Sequence, residues 1–121
     1  MYFFVFVAVG GGLGCFLRSL ISFLLGNHSP WPTLLVNLLG ALLIGFFLRF
    51  VESVGEETFF RAFWIVGFCG GFTTFSTFGV DLIKLFQSDS ILYCLSYLLL
   101  NLIGTIICIF LGFRIFSLFH G

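Results

Sequence analysis

The stretch Gly67-Phe-Cys-Gly-Gly-Phe-Thr-Thr-Phe-Ser-Thr-Phe78 lies inside a segment that is apolar enough to cross a membrane. Its glycine pair and its four hydroxyl side chains are unusual in a helix that faces lipid. Backbone groups that leave helical hydrogen bonding at membrane depth are costly unless they are buried in protein or line a watery path. A polar, glycine-interrupted patch at the centre of a span therefore predicts a binding or conduction site.

Composition and segment lengths predict an all-α integral membrane protein. The 121-residue chain is 60% hydrophobic and 8% charged and contains 20 phenylalanines, whereas soluble domains carry roughly 25% charged residues. Short polar links make neighbouring spans antiparallel. Four spans are predicted, each close to or above the ~20 residues that cross the hydrocarbon core: Tyr2–Leu25, Thr33–Val51, Phe59–Phe86 and Ile91–Phe119.

We expect residues 1–121 to form a single four-helix transmembrane domain in the inner (plasma) membrane. The third helix is expected to be broken near its centre, at the glycine pair. The first span lacks a basic leading region and its apolar run is long, so we interpret it as a permanent helix rather than a cleaved signal.

The distribution of positive charge bears on orientation and assembly. With four spans, Arg49, Arg61 and Arg114 lie toward one side of the membrane, and Arg18 and Lys84 lie toward the other. Lys and Arg bias is what normally sets orientation, and here it is almost absent. We therefore favour dual topology, in which two oppositely inserted copies form an antiparallel homodimer with a twofold axis in the membrane plane. A fixed orientation set by another feature is the alternative.

The cysteines are all predicted to lie inside spans, and their spacing matches no paired motif. They are Cys15, Cys69, Cys94 and Cys108. Free cysteine often acts as a small packing residue. We prefer that interpretation to a disulfide or a metal site.

The first two spans carry polar residues whose roles the sequence leaves open. Gly10 and Gly14 are spaced to allow close helix approach. Arg18 can extend to the interface or line a vestibule that attracts anions. Asn37 lies four residues after Thr33, hence on the same helix face. Its amide can join helices or point an N–H₂ group into a pore.

The third span predicts a site for a dehydrated anion, with a cation site beside it. Gly70 and Gly71 permit a helix break, at which freed carbonyls favour a cation and freed amides an anion. The neighbouring hydroxyls, Thr73, Thr74, Ser76 and Thr77, can rebond freed backbone groups. Phe75 and Phe78 are three residues apart, so both rings are expected on one side. Their electropositive edges would favour an anion without a net charge.

The fourth span adds a polar stripe, because Tyr97, Asn101 and Thr105 follow one another at four-residue intervals. Three hydrogen-bonding groups in register indicate a shared wet or protein-facing surface. The alternative for Tyr97 is a side chain that is simply buried and hydrogen-bonded. Asp81 lies beyond the central patch, where we expect an interfacial pair with Lys84, and no carboxylate lies deep in a span. Since proton-coupled transporters use such acids, their absence favours passive flow. No nucleophile or metal-ligand constellation indicates an enzyme.

Three motifs together resemble the Fluc (CrcB) fluoride channel family over nearly the whole chain. They are Gly11-Gly-Leu-Gly14 with Arg18, Thr33-Leu-Leu-Val-Asn37 with Gly40, and the stretch 67–78. The third motif is highly specific, and the first two would be weak alone. Their order and spacing in a four-span chain carry the match.

The resemblance implies an antiparallel dual-topology homodimer with two fluoride pores and a structural sodium ion at its centre. The sodium would be held by the backbone carbonyls of Gly70 and Thr73 of each subunit, in keeping with the preference of hard cations for oxygen. It implies a vestibule at Arg18. The implied fluoride pore residues are Asn37, Phe75, Phe78, Ser76, Thr77, Tyr97, Asn101 and Thr105.

The chain departs from the family pattern at a few positions. A small hydroxyl is expected where Asn101 stands, an aromatic residue where Ser19 stands, and glycine where Pro32 stands. None of these positions belongs to the central motif.

The predicted function is passive, fluoride-selective efflux across the membrane. The expected partners are fluoride, the lipid bilayer and a second copy of the chain, with no nucleic acid. A small dual-topology multidrug antiporter is one alternative, but it needs a membrane-embedded carboxylate in the first span, and none is present. A non-transport assembly subunit is another; it would give no flux alone and would purify with a larger partner.

Overall fold

The computed structural model describes residues 1–26, 30–55, 58–88 and 91–120, and the regular structure within these ranges is helical. Helix α1 is Tyr2–Leu25 and helix α2 is Trp31–Val54. Helix α3 covers 58–72 in three joined pieces, Thr58–Phe60, Arg61–Cys69 and Gly70–Phe72. Helix α4 is Ser76–Ser88 and helix α5 is Ile91–His120.

Within the described residues, four stretches are long and apolar enough to cross a membrane: Tyr2–Leu25, Trp31–Val54, Thr58–Gln87 and Ile91–His120. They match the predicted spans closely; the largest difference is at the end of α2, which reaches Val54 rather than Val51. The predicted links include residues 27–29, 56–57 and 89–90, which lie outside the described residues. The all-helical, four-span prediction is confirmed.

Local sequence explains where the first two helices begin and end. Gly26 follows α1 with φ 96° and Gly55 follows α2 with φ 88°, a backbone region that side chains with a Cβ rarely adopt. Pro32 lies in the first turn of α2, where its missing N–H interrupts no helical hydrogen bond. Glycine and proline therefore set the boundaries of these spans.

The helices pack as two close pairs, α1 with α3 and α2 with α5. In the first pair, a Cβ on Gly10 would overlap the Phe63 carbonyl oxygen, and one on Gly14 would overlap that of Phe68. The predicted close approach at these two glycines is confirmed. The π-helical stretch Arg61–Cys69 makes most of the contact of α3 with α1, and Gly70–Phe72 continues it.

The α2–α5 pair has its own glycine contact. A Cβ on Gly45 would overlap the Ile109 carbonyl oxygen, and a Cβ on Gly112 would overlap that of Leu42. Because the two backbones touch here without intervening side chains, α2 and α5 cross at a defined register. This register places Asn37 of α2 opposite Asn101 of α5.

The interior is small, and much of the surface is apolar. One buried cluster joins Val36 to Phe68, Cys69 and Phe72 near the glycine pair. Large apolar side chains are exposed along the helices, as a membrane-embedded surface requires. The cysteines are free; Cys69 and Cys94 are buried, Cys108 is half-buried and Cys15 is exposed.

Candidate functional site

The site is built around residues 73–75, which separate α3 from α4. The expected position of the break, at the glycine pair, is wrong by a few residues, because Gly70 and Gly71 are still helical and the backbone becomes extended only at Thr73. Thr73 is extended, with φ −87° and ψ 156°. Its N–H and its hydroxyl both donate to the Cys69 carbonyl oxygen, at 3.0 and 2.9 Å. The Thr74 hydroxyl oxygen accepts from the Thr77 N–H at 3.2 Å, as an N-cap residue does at the start of a helix. Threonine hydroxyls thus satisfy backbone groups on both sides of the gap.

Asn37 bridges from α2 to this gap. Its Oδ1 accepts from the Thr74 N–H at 2.9 Å, and its Nδ2 donates to the Thr74 carbonyl oxygen at 3.2 Å. The side-chain amide therefore pairs with both backbone groups of one residue, as a neighbouring strand would. A second donation from Nδ2 reaches Asn101 Oδ1 at 3.0 Å. Of the two roles that the sequence left open, interhelical bridging is the one that these contacts establish.

Asn101 completes the amide arrangement from α5. Its side chain is buried, and its Nδ2 donates to the Tyr97 carbonyl oxygen at 3.1 Å. This contact directs its Oδ1 toward Asn37. Helices α2 and α5, which carry Asn37 and Asn101, are thus tied to each other and to Thr74 of the gap by directed hydrogen bonds.

An open groove of about 640 Å³ runs over this arrangement. Among its lining residues are the polar Asn37, Thr73, Thr74, Asn101 and Thr105. Gly70, Phe75 and Phe78 lie along the same groove. Seven of the residues that the family resemblance assigns to the pore or the sodium site therefore line one groove: Asn37, Gly70, Thr73, Phe75, Phe78, Asn101 and Thr105.

The two phenylalanines occupy different environments despite their spacing. Phe75 lies in the gap before α4 and is 77% exposed, whereas Phe78 lies within α4 and is 4% exposed. Their ring centroids are 5.5 Å apart, and Phe78 stacks on Tyr97. Both rings line the groove, as their spacing predicted, but Phe75 projects freely while Phe78 is held by the subunit's own core.

Tyr97 is separated from the rest of its predicted stripe. It is buried beside Phe78, and its hydroxyl donates to Asp81 Oδ2 at 3.0 Å. Asn101 and Thr105 line the groove, while Tyr97 is not among the residues that line it. The link between Tyr97 and Asp81 joins two helices, and sequence spacing within one helix carries no signal for it.

A second, more polar pocket of about 480 Å³ adjoins the first at Thr74, which lines both. Arg18, Thr33 and Thr77 also line it. Arg18 is half-buried, and its Nε donates to the Gly71 carbonyl oxygen at 3.0 Å. Its guanidinium thus lies against α3 beside the gap. Ser76, also predicted as a pore residue, is exposed and has its hydroxyl 3.4 Å from that of Thr74.

Four long apolar helices with a hydrogen-bonded polar gap inside one of the spans define a multi-pass membrane protein with an intramembrane polar site. Residues 5–113 match the family described as CrcB-like protein, Camphor Resistance (CrcB). The chain belongs to this family, which confirms the resemblance found in the motifs.

Relatives with assigned names match over most of their length. A protein of Dichelobacter nodosus named fluoride-specific ion channel FluC is 41% identical, over 93% of this chain and 95% of its own. The protein of the same name from Hahella chejuensis is 43% identical over 88% of this chain and 85% of its own. That of Mesorhizobium japonicum is 36% identical over 93% and 94%. The family is one of ion channels, so the prediction that the chain is not an enzyme is confirmed.

Proposed function

We propose that this protein is a fluoride-selective channel through which fluoride leaves the cell passively across the inner (plasma) membrane. The observation that carries the proposal is the set of neutral hydrogen-bonding groups gathered at the gap between α3 and α4, inside a membrane span. The names of the relatives supply the identity of the ion.

The path is proposed to run from the Arg18 pocket past Thr74 into the groove. The guanidinium attracts anions to the mouth, and Thr33 and Thr77 offer hydroxyls there. Deeper in, fluoride sheds water and receives hydrogen bonds from amide and hydroxyl groups. The positive edges of the Phe75 and Phe78 rings add attraction without a fixed charge. A narrow path of this kind disfavours chloride, because the larger ion cannot recover its lost hydration.

The open side of the groove supports an antiparallel homodimer. One subunit leaves Phe75 77% exposed and leaves open space around Gly70, where an added Cβ would meet nothing within 4 Å. A second copy placed on this face would close both groove and pore. The near balance of Lys and Arg between the two sides supports opposite insertion of the copies.

The broken third helix is part of the proposal, and its geometry suits a structural sodium ion. In an unbroken α-helix the Gly70 carbonyl would accept from Thr74 N–H, and that of Thr73 from Thr77 N–H. Here Thr74 N–H goes to Asn37 Oδ1, and Thr77 N–H goes to the Thr74 hydroxyl. Both carbonyls named by the family resemblance thus lose their helical partners. Two copies would supply four such oxygens around a twofold axis, a donor set that suits a hard cation.

Fluoride efflux from liposomes loaded with potassium fluoride tests the channel assignment. Purified protein is reconstituted, valinomycin balances charge, and an electrode records fluoride; chloride-loaded liposomes are the matched control. We expect rapid fluoride release with little chloride release. Absence of release from a folded, reconstituted dimer in sodium would contradict the proposal.

The sodium and dimer proposals have separate measurements. Thermal unfolding in detergent is compared in sodium chloride and in potassium chloride of equal concentration; only sodium is expected to raise the midpoint, since a ligand of the folded state stabilises it. Equal midpoints would contradict a sodium site. The mass of the protein–detergent complex distinguishes one copy from two.

A further inference from the structure

The amide of Asn37 has no hydrogen-bond donor to spare. A side-chain amide carries two N–H donors, and here one reaches the Thr74 carbonyl oxygen and the other reaches Asn101 Oδ1. Fluoride accepts hydrogen bonds and donates none. For Asn37 to donate a hydrogen bond to fluoride, its bond to either the Thr74 carbonyl oxygen or Asn101 Oδ1 must first break.

The orientation of both amides is determined by their backbone partners. The Thr74 N–H can only donate, so the Asn37 atom that faces it is oxygen. The Tyr97 carbonyl can only accept, so the Asn101 atom that faces it is nitrogen. The remaining atom of Asn101, its carbonyl oxygen, therefore faces the Asn37 N–H as an acceptor.

We infer that the Asn101 carbonyl oxygen competes with fluoride for the Asn37 N–H, and that Asn101 thereby lowers the affinity of the path for fluoride. Of the two acceptors, Asn101 is the one that yields, because it is a side chain that can rotate, whereas Thr74 is held by Asn37 through both of its backbone groups. The inference rests on the proposed fluoride function and specifies what one residue of the path does.

The Asn101→Ser substitution removes the hydrogen bond to Asn37 and is expected to keep the one to the Tyr97 carbonyl oxygen. Ser96 and Ser117 of the same helix donate to the carbonyl four residues earlier, at 2.9 and 3.1 Å. A serine at 101 is expected to donate to the Tyr97 carbonyl in the same way, and its shorter side chain withdraws the acceptor from Asn37. The Asn101→Ser variant thus keeps the bond within α5 and loses the bond to α2.

The test follows the side-chain amide signals of protein labelled with ¹⁵N-asparagine during titration with sodium fluoride, with sodium chloride as the matched anion. The chain contains three asparagines, Asn27, Asn37 and Asn101. The Asn101→Ser variant therefore retains the side-chain NH₂ groups of Asn27 and Asn37. We expect the Asn37 signal of this variant to shift at about fivefold lower fluoride than in the unmodified protein. This factor corresponds to the ~1 kcal/mol net contribution of a neutral hydrogen bond. Ser96→Ala, which removes an exposed hydroxyl and its hydrogen bond within α5, is the control and should leave the midpoint unchanged.

The outcomes separate this inference from the proposed function. If the unmodified protein shows neither fluoride efflux nor an Asn37 shift, the channel proposal itself fails. If it shows both, and the midpoint of Asn101→Ser is unchanged or higher, the competition is overturned. Should Asn101→Ser fail to assemble, Asn101→Thr offers the same hydroxyl for the Tyr97 carbonyl and carries the same expectation.

Discussion

Asn37 and Thr74 exchange two hydrogen bonds across the interface between α2 and the gap, with the Asn37 amide pairing with both backbone groups of Thr74. A side chain on one helix thus replaces the backbone partners that Thr74 loses where α3 ends. The same amide is the donor proposed for fluoride. The Asn37 amide would therefore both fix the backbone of the gap and contact the ion.

Replacing Asn37 by aspartate tests this double role. Asn37→Asp keeps an oxygen for the Thr74 N–H but turns the donating nitrogen into a second oxygen that faces two carbonyl oxygens. Each carbonyl left without a partner costs about 1–3 kcal/mol, and the negative charge repels an anion. We expect fluoride efflux to fall by about 100-fold or more, at 1.4 kcal/mol per factor of ten. Efflux close to the unmodified rate would contradict the assignment of Asn37 to the path, and Ser117→Ala serves as the control.

Phe75 and Phe78 should respond differently to the same substitution. Phe75→Ile replaces a ring that makes little contact with its own subunit, so we expect efflux to be lost while the stability of the subunit fold changes by no more than about 0.5 kcal/mol. Phe78→Ile removes a buried ring stacked on Tyr97, and it should lose efflux and also about 1–3 kcal/mol of stability. Phe86→Ile, on an exposed ring of α4, should change neither. Unchanged efflux in Phe75→Ile would refute the role of the ring edges.

Gly14 and Gly12 of α1 provide a test variant and its control for the close contact of α1 with α3. A Cβ on Gly14 would overlap the Phe68 carbonyl oxygen, whereas one on Gly12 would meet nothing within 4 Å. Gly14→Ala should force the helices apart and cost about 1–3 kcal/mol of stability. Gly12→Ala should be neutral or stabilise α1 by about 0.5–1 kcal/mol. Unfolding in detergent measures both, and equal midpoints would show that the close approach is not needed.

Arg18 provides a test of electrostatic attraction. Arg18→Gln removes the charge from the mouth of the proposed path, while Arg18→Lys keeps the charge and gives up the planar group that reaches the Gly71 carbonyl. We expect fluoride efflux to fall several-fold in Arg18→Gln at low ionic strength, and less so at high, because salt screens the attraction over roughly 10 Å at 0.1 M. Arg18→Lys should retain most of the flux. Arg114→Gln, on an exposed residue of α5, controls for loss of charge in general. A salt-independent loss would indicate that Arg18 acts by holding Gly71 instead.

The sequence by itself determined the four helices, because long apolar segments leave the backbone in lipid no other way to satisfy its hydrogen bonds. It also predicted an interruption of the third span, since the glycine pair and the hydroxyls after it are unusual in a continuous helix that faces lipid. The close approach at Gly10 and Gly14 was likewise visible in their spacing.

Only the tertiary structure decided which groups meet. Spacing placed Tyr97, Asn101 and Thr105 on one stripe, yet Tyr97 pairs with Asp81 while Asn101 faces Asn37. Asn101 faces Asn37 because the close contact of α2 with α5, at Gly45 and Gly112, sets how the two helices lie against each other. Periodicity shows which face of a helix a residue occupies. The partner of that face depends on how the backbones cross, and this is a property of the packed helices together rather than of any one segment.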